Sequence, residues 1–135
     1  MQQNANVAAQ ERFGQAINSG DFSAFDEIVA SDILDHDPAP EQSGGPDGYK
    51  AFFGAFRQAF PDLKISIDHL VKDDDNVAIA YTATGTHRGE FLGHAPTGKA
   101  ISVRGMQIAR FRDGKMVERW GSSDELGILK QIGAA

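Results

Sequence analysis

Apolar positions along the chain follow a helical period in its first part and a period of two afterwards. Val7, Ala8, Phe13, Ala16 and Ile17 recur at helical spacing, and Gly20 ends that run, which predicts a helix over Val7–Asn18. Asp21 then precedes a second apolar stripe of Phe22, Phe25, Ile28 and Val29, where it fits the N-cap position. Residues 33–37 read as a short extended piece. The Pro and Gly residues from Pro38 to Pro46 make the following stretch a loop. A third helix is predicted over 46–60, carrying Tyr49, Phe52, Phe53, Phe56 and Phe60, with Pro61 stopping it.

From residue 63 the period is that of a strand. Ile65, Ile67, His69 and Val71 alternate with Lys64, Ser66, Asp68 and Leu70 up to the acidic turn at residues 73–76. Further strands are predicted over 77–87, 100–112 and 115–122. Asp113-Gly114 between the last two signals a two-residue hairpin. A closing helix is expected over Glu125–Ile132. Helices first, then a largely antiparallel sheet, then a short helix is an α+β order, with one domain over residues 1–135.

The hairpin also predicts a register. With Arg112 opposite Lys115, an unbroken ladder sets Gln107 opposite Trp120 and Ala109 opposite Glu118. Gln107, Glu118, Trp120 and Ser122 would then share one face, with Asp124 continuing it, as a pocket wall bearing convergent polar groups. The opposite face would carry Arg104, Met106, Ile108, Arg110, Val117 and Arg119. An apolar centre flanked by arginines suits a two-fold interface between copies of the chain.

Composition narrows the function classes. Thirteen Lys and Arg against 19 Asp and Glu give a net charge of −6, without a basic cluster, so no nucleic-acid partner is expected. The absence of cysteine excludes disulfides, thiol catalysis and cysteine metal sites. The opening residues lack the pattern of a signal peptide, and no apolar run is long enough to span a bilayer. No membrane association is expected, and a cytoplasmic location fits.

Residues 93–100, GHAPTGKA, have the spacing of a phosphate-binding loop. Ala100 replaces the magnesium-binding hydroxyl, however, and a strand rather than a helix follows, so the segment reads as a connection between antiparallel strands. The two histidines of interest are His36, within Asp35-His36-Asp37-Pro38, and His87, where a strand enters a loop. Either could act in a site or be a satisfied surface histidine, and their spacing supports no metal centre. Without a nucleophilic elbow or cysteine, the remaining chemistry is acid–base work by a carboxylate. Asp124 is the candidate. Desolvation beside Trp120 would make it a better base, yet Ser122-x-x-Glu125 also reads as a capping box, and Asp124 could equally cap the last helix.

These segments together resemble the SnoaL-like polyketide cyclases of the nuclear-transport-factor-two-like superfamily, over roughly residues 8–133. The carriers are Asp35-His36-Asp37-Pro38, Phe60-Pro61-Asp62-Leu63 and the run from Gly85 to Gly93. Pro96-Thr97-Gly98-Lys99, Phe111 to Lys115, Glu118-Arg119-Trp120 and Asp124 complete them. The resemblance implies a cone-shaped α+β barrel whose curved sheet wraps the N-terminal helices around an apolar pocket, commonly in a homodimer. It implies an aspartate after the last strand, matched by Asp124, as acid–base catalyst for aldol closure of a polyketide ester without metal or cofactor. His36 and His87 are expected to assist it, with Trp120, Gln107, Tyr81 and Phe56 lining a pocket for a small hydrophobic or aromatic molecule. The alternative within the same fold is a binding or stress-related module without catalysis. The Asp-Arg-Asp relay of limonene-epoxide hydrolases is not evident in the sequence, nor are the oxyanion donors of a ketosteroid isomerase.

Overall fold

The computed structural model describes residues 2–135, with side chains from Ala5 onward; Met1 of the expected domain lies outside the described residues. In chain order the elements are α1 (Gln2–Ser19), a 3-10 turn (Phe22–Ala24), α2 (Phe25–Ile28), β1 (Val29–Asp35) and α3 (Gly45–Ala59). Then follow β2 (Lys64–Lys72), β3 (Asn76–Thr86), β4 (Ala100–Arg112), β5 (Lys115–Ser123) and α4 (Glu125–Gln131). Asp21 caps the 3-10 turn, its carboxylate accepting from the Ser23 amide. Asp113 and Gly114 both take positive φ, 54° and 77°, the pair required by the tight hairpin between β4 and β5.

The five strands form one sheet in the order β1-β5-β4-β3-β2, antiparallel except that β1 runs parallel to β5. β1 and β2 are its two edges. The sheet is therefore open, and the fold is α+β without a closed barrel. α1 lies across β2 and β3, and α3 sits against β1, so the helices cover one face. We call this the inner face. Its core is aromatic and aliphatic: Phe13 stacks on Phe25 at 4.8 Å between ring centres, and Phe60, Val77, Ala109 and Met116 are fully enclosed.

In β2 the expected alternation breaks. Ile67 pairs with Tyr81 and His69 with Ala80, leaving Asp68 as an extra residue in a bulge. Leu70, opposite Ile79, therefore turns toward the core, whereas Val71 is exposed. The segment resembling a phosphate loop joins β3 to β4: Gly98 donates its amide to the His87 carbonyl, and β4 begins at Ala100. No helix N-terminus follows to receive a phosphate. Among the described residues no helix is long and apolar enough to cross a membrane.

Candidate active site

Near the hairpin the β4–β5 ladder follows the expected register, Arg112 with Lys115 and Phe111 with Met116. It then shifts, because Arg110 pairs with Glu118 and Val117 is the extra residue of a bulge. From that point each partner on β5 is displaced by one. Gln107 lies opposite Gly121, Ile108 opposite Trp120 and Ala109 opposite Arg119. Because side chains alternate, one inserted residue exchanges the two faces of β5. Gln107 and Trp120 therefore do not share a face, and Arg119, expected on the interface side, points into the molecule.

The physical reason lies in which charge can be compensated inside. Without the bulge, Glu118 would face the core opposite Ala109. With it, Arg119 does, and there it meets Asp35 of β1: Nη1 donates to Oδ1 at 3.0 Å and to Oδ2 at 3.2 Å. The Asp35 side chain is 9% exposed and that of Arg119 18%. Tyr49 of α3 donates its hydroxyl to Asp35 Oδ2 at 2.6 Å, and the Asp37 amide donates to Oδ1. Arg119 Nε donates to Gln107 Oε1 at 2.7 Å, and Gln107 Nε2 to Gln10 Oε1 of α1. Burial, then the hydrogen bond to Asp35 and the carboxylate's charge, raise the Tyr49 hydroxyl pKa well above the tyrosine range, with Arg119 opposing, so Tyr49 stays a donor. Arg119, Asp35 and Tyr49 were missed as a cluster because the regular register aimed Arg119 outward. An unpaired Glu118 in the core was the signal that the register had to break.

Tyr81 stands on the inner face of β3 between Ile79 and Ala83. Those two are buried, yet Tyr81 is only half-buried, and its partner Ile67 is 37% exposed. Cover over the inner face is thus thinner at this row than at its neighbours. Burial raises the Tyr81 hydroxyl pKa, opposed by Arg119. Phe56 of α3 packs against Phe52, Phe60 and Phe91 and is also half-buried.

The outer face gathers other expected site residues. His36 follows Asp35 and so points the opposite way; its ring stacks on Trp120 at 4.7 Å, and Nε2 lies 2.7 Å from Glu118 Oε2. Arg110 Nε donates to the other Glu118 oxygen at 3.0 Å. The hydrogen bond from His36, then that from Arg110, hold the Glu118 carboxyl below the usual range. Trp120 does line a cavity, but on this outer side: an open groove of about 650 Å³ shared with Val71, Asn76, Ala78 and Ile108.

His87 continues the inner-face parity of Tyr81 past the end of β3, and its ring lies 5.6 Å from that of Phe60 in the core. It is fully enclosed beneath the β3–β4 connection, where the Thr97 amide donates to Nδ1 at 3.2 Å and Thr97 Oγ1 lies 3.0 Å away. Nδ1 is therefore an acceptor and Nε2 carries the hydrogen, without a partner among the described residues. Asp124 is exposed at the N-cap of α4, with Oδ1 accepting from the Gly127 amide at 2.8 Å. Its own amide donates to the Arg104 carbonyl, one residue beyond the Gly105–Ser123 pair. Among the described residues no three His, Asp or Glu side chains are grouped to hold a metal ion.

Comparison with known proteins places this geometry in a family. The chain superposes on TsrD from Streptomyces laurentii with a TM-score of 0.90 at 27% identity, covering 100% of this chain and 99% of that one. IdmH from Streptomyces antibioticus, provisionally named a polyketide cyclase, gives 0.81 at 30% identity over 98% and 99% of the two chains. AclR from Streptomyces galilaeus, provisionally named a hydroxylase, gives 0.86 at 28% over 98% and 83%. No curated protein sequence matches. The family model described as SnoaL-like polyketide cyclase matches residues 7–132, and the chain belongs to the SnoaL-like polyketide cyclase family.

Proposed function

We propose that this chain is a cofactor-independent cyclase that closes a ring in a polyketide ester, with Asp124 as its acid–base group. The observation that carries the reading is the position of Asp124. It follows the last residue of β5, one past the Gly105–Ser123 pair. The Val117 bulge gives it the parity of Trp120 and Ser122 rather than that of Gln107, and it stands at the end of the sheet next to Gly105, the cross-strand partner of Tyr81. One carboxylate oxygen is engaged by Gly127, while Oδ2 has no hydrogen-bond partner among the described residues. In the proposed step Oδ2 removes a proton from carbon between two carbonyls, and the enolate carbon attacks a ketone carbon within the same molecule. The alkoxide so formed takes the proton back from Asp124, so the carboxylate is regenerated. A ligand covering the exposed carboxylate would supply the desolvation that strengthens it as a base. The reading rests on Asp124 rather than on His36, which faces the outer side, or His87, which lies under the β3–β4 connection. The expected occupant is a small hydrophobic or aromatic molecule, in a homodimer located in the cytoplasm.

The capping role of Asp124 favours one alternative, a binding module that releases its ligand unchanged. Asp124→Asn separates the two readings, because asparagine caps a helix as well as aspartate does. Incubation with a linear β-keto ester, followed by mass spectrometry and NMR of the product, is expected to show cyclisation by the native chain. The variant should lose it by about a hundredfold or more with an unchanged melting temperature. Full activity in Asp124→Asn removes that residue from the mechanism, and recovery of unaltered ester from the native chain favours the binding module.

A further inference from the structure

Gly105 and Gly121 lie on the inner face of β4 and β5, and both are roofed by polar side chains. A Cβ on Gly105 would collide with the Tyr81 hydroxyl, and one on Gly121 with Nη2 of Arg119. Neither glycine has positive φ, so the space above it, rather than backbone conformation, is what excludes a side chain there. Gln107 pairs with Gly121 and Gly105 with Ser123, which makes the two glycines diagonal neighbours on one face, roughly 7 Å apart. The Tyr81 hydroxyl and Arg119 Nη2 therefore stand side by side over a glycine floor.

Both donors are spare. Arg119 spends Nε on Gln107 and Nη1 on Asp35, and Nη2 has no acceptor among the described residues; neither has the Tyr81 hydroxyl. Asp35, itself held by Tyr49, and Gln107 hold the guanidinium in place, so its free edge is presented without the entropy cost of a mobile side chain. The raised pKa of Tyr81 keeps its hydrogen on the oxygen. Half-buried Tyr81 and exposed Ile67 mark the way in.

We infer that the Tyr81 hydroxyl and Arg119 Nη2 form a two-point receptor for a β-dicarbonyl enolate, each donating to one of its two oxygens. A delocalised enolate shares one negative charge between two oxygens, so two unengaged donors on neighbouring positions of one face can each take one of them. Held there, the anion would be stabilised as it forms. The inference deepens the cyclase reading by naming the group its site recognises, but its test needs no turnover.

The probe is phenindione, a flat acidic diketone present as its enolate in neutral buffer, alongside its O-methyl enol ether, which keeps the ring system and lacks the charge. Calorimetric titration of the native chain should show phenindione bound more tightly than the ether. Tyr81→Phe should weaken phenindione by about tenfold or more, as expected for a hydrogen bond to an anion, and should leave the ether within about threefold. The lost hydroxyl has no protein partner, so this variant should keep its melting temperature. Arg119→Lys, which retains the charge facing Asp35 but loses Nη2, should show the same selective loss. Equal affinity for phenindione in the native and Tyr81→Phe chains overturns the inference, as does no binding to the native chain or an equal loss for the ether. Failure here with intact cyclisation removes only the enolate receptor; binding as expected with no cyclisation removes only the cyclase.

Discussion

On the inner side of β4 and β5, Asp35, Arg119 and Gln107 are enclosed and bonded to one another and to Tyr49 and Gln10. On the outer side, His36, Glu118 and Arg110 make contacts of similar length, yet beside Met106 and Ile108, which are 63% and 45% exposed. The two clusters are built from adjacent residues: Asp35 beside His36, Glu118 and Trp120 flanking Arg119. Alternation sends neighbours to opposite faces, and the bulge at Val117 decides which goes where. An ion pair withdrawn from water has given up hydration that only its partner replaces, whereas an exposed pair has water as a ready substitute.

Removing one partner on each side should expose that difference most strongly. Arg119→Met leaves the Asp35 carboxylate inside with only Tyr49 and the Asp37 amide as donors, and is expected to cost about 3 kcal/mol in urea unfolding. Glu118→Gln on the outer face should cost less, about 1 kcal/mol or below, because its partners His36 and Arg110 are each 37% exposed and keep water within reach. Equal effects at the two positions would mean that the inner cluster is as wet as the outer one.

Tyr49 sharpens the comparison through pH. Its hydroxyl titrates above the usual tyrosine value of about 10 because burial and Asp35 disfavour the phenolate. Below that value the folded and unfolded chains both keep the proton, and stability does not depend on it. Above it the unfolded chain ionises while the folded one resists, so stability falls as pH rises. Tyr49→Phe should lose about 1 kcal/mol near neutrality with the hydrogen bond, and should show a shallower alkaline decline. An unchanged slope between pH 9 and 11 would place the Tyr49 hydroxyl in contact with water.

Local pattern made most of the fold legible. The helical stripes, the Asp-Gly hairpin and the period-two runs lie within a few residues of the observed elements, since each depends on neighbours in sequence. β1 was the weakest expectation: it begins at Val29, four residues early, because Val29 and Ala30 are drawn into pairing and burial beside β5. The site was less legible because both bulges insert a residue without Gly, Pro or any other local mark. At Asp68 the inserted residue turns Leu70 inward, and at Val117 it exchanges Arg119 with Trp120. What determines these shifts is distant in sequence, above all Asp35 and Tyr49 waiting for a cation. Gln107 kept its expected inner position because β4 pairs with β3 without interruption.

The outer face leads to a prediction about assembly, which should leave the folded chain itself least disturbed. Of the six residues expected there, Arg119 has moved inside and Val117 is the bulge, while Trp120 and Glu118 have taken their places. The apolar centre remains, with Met106, Ile108 and Trp120 beside a groove reaching to Val71, and Arg104 and Arg110 at its margins. In a two-fold arrangement Ile108 would lie near its symmetry mate, and Glu118 and Arg110 of one copy could meet their opposites on the other. Ile108→Asp would place two carboxylates together at such a contact, yet in a single copy it puts a charge where water already reaches. The native chain should therefore scatter light as a dimer at micromolar concentration and the variant as a monomer, with circular dichroism unchanged. A native chain that is monomeric under those conditions would leave the outer groove open to solvent, and Trp120 and His36 would then form a surface stack rather than part of an interface.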